Sequence, residues 1–228
     1  MTFFSSRFVV VTGTDTGVGK TVTTAALAVA FEARGMSVAI VKPVQTGVDW
    51  DESGDIDEVV RLTGITDVHE FTRRRAALAP ESAAMLQNAG LPTIAELTAR
   101  IHAINTDTVL IEGAGGLLVH IDLVGGTIFD LAIGLAAEVV VVGREGLGTL
   151  NHFALTVEHL RTAGIEPRLV LGSCSPDPGL AERTNHNDLP RNLGLPIEGR
   201  IPEGAGTLTR EEFRKQAPSW FSPGFGRF

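Results

Sequence analysis

Cysteine is nearly absent from this sequence, in which Cys174 is the only one among 228 residues. A lone cysteine excludes an internal disulfide and a cysteine-rich metal site, because each needs at least two thiols, and a reducing compartment fits this composition. Histidine offers no metal site either. His152 has no partner at metal-ligand spacing, so we expect a structural role for it.

A long hydrophobic run is also missing. The most apolar segment, residues 131–143, is interrupted by Glu138 and falls short of the roughly 20 residues that a membrane-spanning helix needs. The amino-terminal segment MTFFSSRFVVVTG has no basic region ahead of its apolar run and no cleavage-site pattern, so it is not typical of a signal peptide. We therefore expect a cytoplasmic protein without a membrane partner.

Positive charge is scarce relative to negative charge. The net charge of −8 and the pI near 5.2 exclude the general basic surface of a nucleic-acid-binding protein. An anionic small ligand must then be bound by local features of the chain. The composition is 43% hydrophobic and 20% charged, as in ordinary globular proteins, and we expect residues 1–228 to form one domain.

Short runs rich in β-branched residues alternate with segments of helical length. The runs are apolar on both faces, which is typical of a parallel sheet covered by helices on both sides. The pattern predicts a doubly wound α/β fold, in which ligands bind beyond the carboxyl ends of the strands. The predicted strands are residues 8–12, 38–41, 108–111, 139–142, 169–171 and 197–201, and the predicted helices are residues 21–34, 56–62, 81–88, 94–104, 128–135, 151–163, 180–192 and 209–216, with Gly35, Gly90 and Gly164 as helix stops.

The segment GTDTGVGKT, residues 13–21, joins the first strand to the first helix. A glycine-rich turn in this place directs backbone N–H groups at a phosphate, and the helix amino terminus adds its dipole. In such a phosphate loop Lys20 would reach the β- and γ-phosphates, and the Thr21 hydroxyl would hold Mg²⁺. Thr14 stands where the first glycine of the ordinary pattern lies, and Asp15 and Thr16 either contact the nucleotide or shape the turn.

Two carboxylates are candidate ligands for Mg²⁺ at the nucleotide. Glu112 ends a buried strand, where a charge is costly unless it is paired or binds a metal. Asp55 is the second candidate. A brace of the following turn remains the alternative for Glu112, and a helix N-cap for Asp55. Asp49, Asp51 and Asp57 compete with Asp55 for the same role.

A second lysine, Lys42, ends the second strand in the segment KPVQTG. We expect this strand to lie beside the first one, so that the Lys42 ammonium faces the region where the γ-phosphate and a second substrate meet. The alternative is a solvated lysine at a strand end.

The segments GTDTGVGKT, KPVQTG, EGAGGLLV and GTLNH, in this order and at these separations, resemble the dethiobiotin synthetase family. The resemblance extends from about residue 8 to residue 202. It implies a P-loop NTPase fold and an enzyme that uses ATP, Mg²⁺ and CO₂ to convert 7,8-diaminononanoate into dethiobiotin. One amine forms a carbamate, the γ-phosphate activates it as a carbamic-phosphoric anhydride, and the other amine closes a cyclic urea and releases phosphate.

The resemblance also implies the roles of individual residues. Lys20 and Lys42 are the catalytic cations, and Thr14 and Thr46 bind the carbamate or the amines. The substrate's carboxylate tail lies at the start of a helix supplied by the neighbouring subunit of a homodimer, whose active sites lie at the interface. The implied metal ligands are Thr21, Asp55 and Glu112; the nucleotide contacts are Asp15, Thr16, Gly17, Val18, Gly19, Lys20, Thr21, Val22, Glu112, Gly172, Ser173 and Pro202; the substrate contacts are Thr14, Lys42, Thr46, Gly115, Gly148, Thr149, Leu150 and Asn151.

This chain departs from the family pattern in two places. The family commonly has an Asn-Asp pair that reads adenine where this chain has Gly172 and Ser173, and without that amide we expect other nucleoside triphosphates to be accepted. The segment 143–148 is one residue longer than usual. The additional residue is expected to change how far this loop extends towards the substrate's carboxylate. The alternative is that Arg144 and Glu145 only form a solvated charge pair. The alternative to a substrate site after this loop is a helix cap by Thr149 or Asn151.

Three other functions compete with the ligase. A switch or partitioning ATPase of the same broad fold usually has an additional lysine early in the phosphate loop, where this chain has Asp15. An ATP-dependent amidoligase is normally joined to a glutaminase domain, and with Cys174 as its only thiol this chain shows no such domain. A non-catalytic module would bind nucleotide without substrate-dependent hydrolysis.

Overall fold

The computed structural model describes residues 6–223 and 225. In chain order the elements are β1 (Phe8–Gly13), α1 (Lys20–Glu32), β2 (Val38–Lys42), β3 (Gln45–Thr46), α2 (Asp55–Thr63), β4 (Val68–Glu70), β5 (Arg73–Arg74), α3 (Pro80–Leu86), α4 (Ile94–His102), β6 (Thr108–Gly116), α5 (Ile128–Gly134), β7 (Glu138–Gly143), α6 (Thr149–Thr162), β8 (Arg168–Cys174), α7 (Leu180–Leu193), β9 (Ile197–Pro202) and α8 (Arg210–Gln216), with 3₁₀ turns at Ala205–Thr207 and Ala217–Trp220.

Seven strands form one parallel sheet in the order β4-β2-β6-β1-β7-β8-β9. The expectation that β2 lies beside β1 is wrong, because β6 lies between them. This strand order brings the ends of β2 and β6 side by side. Val41 pairs with Ile111, so Lys42 and Glu112 each follow a paired residue on neighbouring strands. Because parallel strands end at the same edge, the two charged side chains emerge together.

Every strand and helix of the predicted doubly wound fold is present, with shifts at the ends. The largest is at β6, which continues to Gly116 where residue 111 was predicted as its end. Helix α6 begins at Thr149, ahead of the predicted residue 151. Gly35 and Gly164 adopt positive φ after their helices, as predicted. Gly90 does not end α3, because that role falls to Asn88, with φ of 48°. The short strands β3, β4 and β5 were not predicted, since two or three residues are too few for a periodic pattern.

Two hydrophobic layers cover the sheet, one on each face. Helices α1, α2 and α8 pack on one face against Val9 and Val11, and α4 to α7 pack on the other against Val10. This alternation follows from the two-residue period of a strand, and burial of both faces explains why the strands read as continuous apolar runs. Within the described part of the chain, no helix is long and apolar enough to cross a membrane.

The phosphate loop between β1 and α1 rests directly on the end of β8. A Cβ atom added to Gly172 would clash with the Val18 carbonyl oxygen. A side chain at this position therefore requires a shift of the loop backbone. Glycine at 172 is thus explained by packing beneath the phosphate loop, in addition to any role beside a nucleotide.

Candidate active site

A cavity of about 710 Å³ opens at the carboxyl edge of the sheet. It brings together residues from the phosphate loop, the end of β2, the start of α2 and the end of β6. About half of the sequence-predicted residues are among its walls: Thr16, Gly17, Gly19, Lys20, Thr21, Val22, Lys42, Thr46, Asp55, Glu112 and Gly115 line it, together with Gln45, Gly47, Ala77, Leu78, Ala79, Pro80, Ala114 and Val119.

The phosphate loop has the backbone shape that its glycines allow. Gly17 and Gly19 have φ values of 69° and 93°, which L side chains rarely adopt. Gly19 precedes α1 without any side-chain cap, so the first N–H groups of the helix remain available to an anion. The Asp15 carboxylate accepts a hydrogen bond from the Thr16 N–H at 2.7 Å and so shapes the turn.

Lys20 folds back over this loop, and its Nζ donates to the Asp15 carbonyl oxygen at 3.0 Å. Burial lowers the pKa of Lys20 below its ordinary value, and the nearby Lys42 ammonium lowers it further, against the opposing effect of Glu112. A buried ammonium in contact with a carbonyl oxygen exchanges that contact readily for a phosphate oxygen, which carries a full charge.

Lys42 is the centre of a buried ionic cluster. Its Nζ lies 2.5 Å from Asp55 Oδ2 and 2.9 Å from Glu112 Oε1, and it donates to the Gly113 carbonyl oxygen at 3.2 Å. The Lys42 side chain is only 3% exposed and that of Glu112 only 2%. The alternative of a solvated lysine is therefore wrong. The Thr21 hydroxyl donates to the same Glu112 oxygen at 2.9 Å.

The charges in this cluster support one another. Burial alone would lower the pKa of Lys42, but Glu112 and Asp55 together raise it above its ordinary value, so the ammonium is charged. Burial also opposes ionisation of Asp55, yet Lys42 lowers the pKa of that carboxyl. Burial raises the pKa of Glu112, while Lys42 and the Thr21 hydroxyl act against that rise. The cluster is thus stable only as a set.

Two residues that were not predicted as functional hold Asp55 in position beside Lys42. The Gln45 amide oxygen accepts a hydrogen bond from the Asp55 N–H at 3.0 Å. Arg73 donates to the carbonyl oxygens of Asp49 and Glu52, each at 2.7 Å, and so fixes the loop that leads to α2. Asp55 is the first residue of α2, which begins after Gly54, and the alternative that Asp55 is the N-cap is wrong. Gln45 lies inside the KPVQTG segment, but nothing in the sequence singled out Arg73.

The start of α6 lies outside the walls of this cavity. Gly148 precedes the helix with φ of 88° and no side chain caps it, so the alternative of a cap by Thr149 or Asn151 is wrong. The Thr149 hydroxyl instead donates to the Arg144 carbonyl oxygen at 2.5 Å. The Thr149 N–H donates to the Gly146 carbonyl oxygen at 3.3 Å, so the N–H groups that the start of α6 offers to an anion are those of Leu150 and Asn151. His152 is exposed beside them.

Glu145 is buried and does not form a solvated pair with Arg144, so that alternative is wrong. Its carboxylate accepts a hydrogen bond from the Ser175 N–H at 2.6 Å and lies 2.9 Å from Nε2 of His186 on α7. The longer loop at residues 143–148 is therefore tied to the segment that follows β8. Nothing in the sequence pattern pointed to His186, because the two partners are distant along the chain.

The carboxyl end of β8 is the expected base site. Ser173 adopts φ of 59°, which is unusual for a residue other than glycine, and its side chain is exposed. Pro202 lies opposite Cys174 in the pairing of β8 with β9, which places the expected base contacts Gly172, Ser173 and Pro202 in one region. Thr14, the remaining predicted contact, is held by a hydrogen bond from its N–H to the Val142 carbonyl oxygen at 2.9 Å.

A parallel sheet with a glycine-rich loop and Lys-Thr at the start of a helix defines a P-loop nucleotide-binding protein. Solved structures of two FtsY proteins share this fold at 18% sequence identity. The chloroplast protein of Physcomitrella patens has a TM-score of 0.52, with 93% of this chain and 65% of the FtsY chain covered. The cell division protein of Thermotoga maritima has a TM-score of 0.53, with 94% and 69% covered. A family model described as an AAA domain matches residues 7–210.

Curated proteins identify the family more closely. The ATP-dependent dethiobiotin synthetase BioD of Rhodococcus jostii is 48% identical, with 93% of each chain covered. The protein of the same name from Streptomyces coelicolor is 48% identical over 94% of this chain and 91% of its own length. That of Rhodococcus erythropolis is 50% identical over 91% and 93%. The chain belongs to the dethiobiotin synthetase family.

The environment of Cys174 generates a prediction about its reactivity. Burial and the neighbouring Glu145 carboxylate raise the pKa of the Cys174 thiol to about 12. Because the thiolate is the nucleophile, we expect iodoacetamide to alkylate the folded protein at neutral pH at least about 100-fold more slowly than the unfolded chain. Mass spectrometry measures both rates at this single site. Glu145→Gln should accelerate labelling of the folded protein, and equal rates in the folded and unfolded wild type would contradict this account of the thiol.

Proposed function

We propose that the chain catalyses the ATP-dependent carboxylation and ring closure of 7,8-diaminononanoate with CO₂, which yields dethiobiotin, ADP and phosphate for biotin biosynthesis. Family membership supports ATP as the co-substrate and dethiobiotin as the product. The observation that carries the proposal is the buried Lys42, held between Asp55 and Glu112 in the cavity that the phosphate loop also lines. The protein would act as one domain in the cytoplasm.

The oxygen donors around Lys42 fit Mg²⁺ bound to a nucleotide. Among the residues that the structure describes, no group of three His, Cys, Asp or Glu side chains forms a metal site by itself. Mg²⁺ at a nucleotide needs only one or two carboxylates, with phosphate oxygens and water as further ligands. Glu112, Asp55 and the Thr21 hydroxyl supply that set beside the phosphate loop. Bound there, the ion would neutralise charge on the β- and γ-phosphates.

The two lysines have different catalytic roles. Lys20 lies on the phosphate loop and serves the nucleotide side, where the loop N–H groups bind the phosphates. Lys42 lies at the end of β2 and serves the substrate side, where negative charge develops on the carbamate as its oxygen attacks the γ-phosphorus. Thr46, which lines the same cavity, and Thr14 would position the carbamate or the amines.

The carbon chain of the substrate leads to its carboxylate tail, which needs an anion site beyond the cavity. The uncapped start of α6, residues 148–151, offers such a site. Leu147, which precedes α6, is 92% exposed and Leu155 on α6 is 65% exposed, as expected for a surface that a second subunit covers. A homodimer would bring this surface to the neighbouring active site. A monomeric mass in sedimentation equilibrium at micromolar concentration would remove this part of the proposal.

Phosphate release tests the proposed function directly. MgATP would be incubated with 7,8-diaminononanoate and bicarbonate, and each component would be omitted in turn. We expect phosphate only when all are present, together with dethiobiotin by mass spectrometry. Release that ignores the diamine would indicate a switch ATPase or another ligase, and nucleotide binding without any release would indicate a non-catalytic module.

Replacement of Lys42 tests its catalytic role. We expect Lys42→Ala to lower kcat about 10²–10³-fold, because one well-placed donor to the transition state is lost. ADP should still bind, since the phosphate loop keeps Lys20 and its N–H groups. Lys215 on α8 is exposed and provides the matched control, and Lys215→Ala should retain the wild-type rate. A Lys42→Ala rate within a few-fold of the wild type would contradict the role.

The base site generates a prediction about nucleotide selectivity. No side-chain amide stands at position 172, and the packing of Gly172 against Val18 leaves no space for one. A site without that polar partner discriminates poorly between bases. We therefore expect CTP, GTP and UTP to support dethiobiotin formation, as measured by kcat/KM for each triphosphate. A strong preference for ATP over all three would contradict this prediction.

A further inference from the structure

Arg144 directs its guanidinium group at the phosphate loop. Its Nη2 lies 3.3 Å from the Thr16 carbonyl oxygen and 3.9 Å from Asp15 Oδ2, and a Cβ atom added to Gly17 would lie 4.0 Å from the same nitrogen. Both contacts are weak: the hydrogen bond is long, and the ion pair lies in solvent, with side chains 64% and 54% exposed. An anion at the loop would compete well for this cation.

The backbone beneath Arg144 is held far more firmly than its side chain. The Arg144 carbonyl oxygen accepts the Thr149 hydroxyl, and Asn185 on α7 donates to the carbonyl oxygens of Glu145 and Gly146 at 2.9 and 3.0 Å. The buried Glu145 carboxylate binds Ser175 and His186 on the opposite side. The loop is thus anchored towards α7, while Arg144 projects towards the nucleotide site. Because this backbone is fixed, only the Arg144 side chain has to move to contact an anion at the phosphate loop.

We propose that Arg144 is a further catalytic residue, which donates hydrogen bonds to the phosphoryl group during its transfer from ATP to the carbamate. This inference rests on the proposed function. In that step the carbamate oxygen forms a bond to the γ-phosphorus while the bond between that phosphorus and the β–γ bridging oxygen breaks, and ADP leaves with the electron pair. The equatorial oxygens of the transferring group carry the negative charge that a guanidinium stabilises.

The position of Arg144 complements the two lysines. Lys20 approaches from α1 and Lys42 from β2, whereas Arg144 comes from the loop that follows β7. Its planar guanidinium has several N–H donors and remains charged at any physiological pH, so it can contact two phosphoryl oxygens together. An arginine supplied in cis serves other phosphoryl-transfer enzymes in this way.

Steady-state kinetics provide the first part of the test, with Arg144→Ala, Arg144→Lys and the control Arg191→Ala. Arg191 on α7 is similarly exposed, at 69%, and pairs with Asp188 at 2.8 Å. We expect Arg144→Ala to lower kcat about 10²-fold while the KM values for ATP and 7,8-diaminononanoate change only a few-fold. Arg144→Lys should recover part of the rate, and Arg191→Ala should match the wild type.

Binding of a phosphoryl-transfer analogue provides the second part, because a purely structural role would not affect it selectively. The affinities of wild type and Arg144→Ala for MgADP, with and without aluminium fluoride, would be compared by calorimetry. We expect similar MgADP affinity in both proteins and a loss of at least about tenfold in the additional affinity that aluminium fluoride gives the wild type.

Three results would overturn the proposal: wild-type kinetics in Arg144→Ala, a rise confined to the KM for the diamine, which would assign Arg144 to the substrate tail, or an unchanged aluminium fluoride effect. A wild type that forms no dethiobiotin would overturn the proposed function instead. In that case the comparison of MgADP with and without aluminium fluoride would still decide whether Arg144 contacts the phosphoryl group.

Discussion

The buried ionic cluster of Lys42, Glu112 and Asp55 is the constraint on which the rest of the site depends. Lys42 and Glu112 would each be costly to bury alone, and they offset one another's desolvation, with the 34% exposed Asp55 as a second partner of Lys42. The cluster requires β2 and β6 to be neighbours and α2 to begin beside them. The sheet order, the loop fixed by Arg73 and the Gln45 contact with Asp55 all satisfy that requirement. The carboxylates and the ammonium that would contact a metal ion and phosphates are thereby already in position before these ligands bind.

The loops around the cluster are held in place by side-chain hydrogen bonds between elements that are distant in sequence. Glu145 joins the loop after β7 to Ser175 in the segment after β8, and Asn185 and His186 on α7 bind the loop after β7. The phosphate loop rests on Gly172, near the carboxyl end of β8. The proposed base site, the phosphate loop and the proposed substrate-tail site are therefore connected through these contacts. A shift in any of these segments must disturb the others. Such rigid support suits phosphoryl transfer, in which positioning and electrostatics contribute most of the catalysis.

Much of the fold could be predicted from the sequence because the strands are apolar on both faces and the helices have ordinary lengths. The phosphate loop, Lys42 and Glu112 could be found because each directly follows an apolar run predicted to be a strand, and parallel sheets place their ligands at that end. The neighbour of β2 was predicted wrongly, since local patterns carry no information about strand order. Arg73, Gln45 and His186 act through partners distant in the chain or through backbone atoms, and periodicity and motif spacing do not encode such contacts.

A double-mutant cycle between Lys42 and Glu112 tests the central claim, that these charges are stable only as a set. The free energy of unfolding would be measured in urea for the wild type, Lys42→Met, Glu112→Gln and the double variant. Because breaking a buried pair leaves an uncompensated charge, a coupling energy of at least about 2 kcal/mol is predicted. Additive effects within about 0.5 kcal/mol would contradict the claim, because they would show that each charge is stabilised independently of the other.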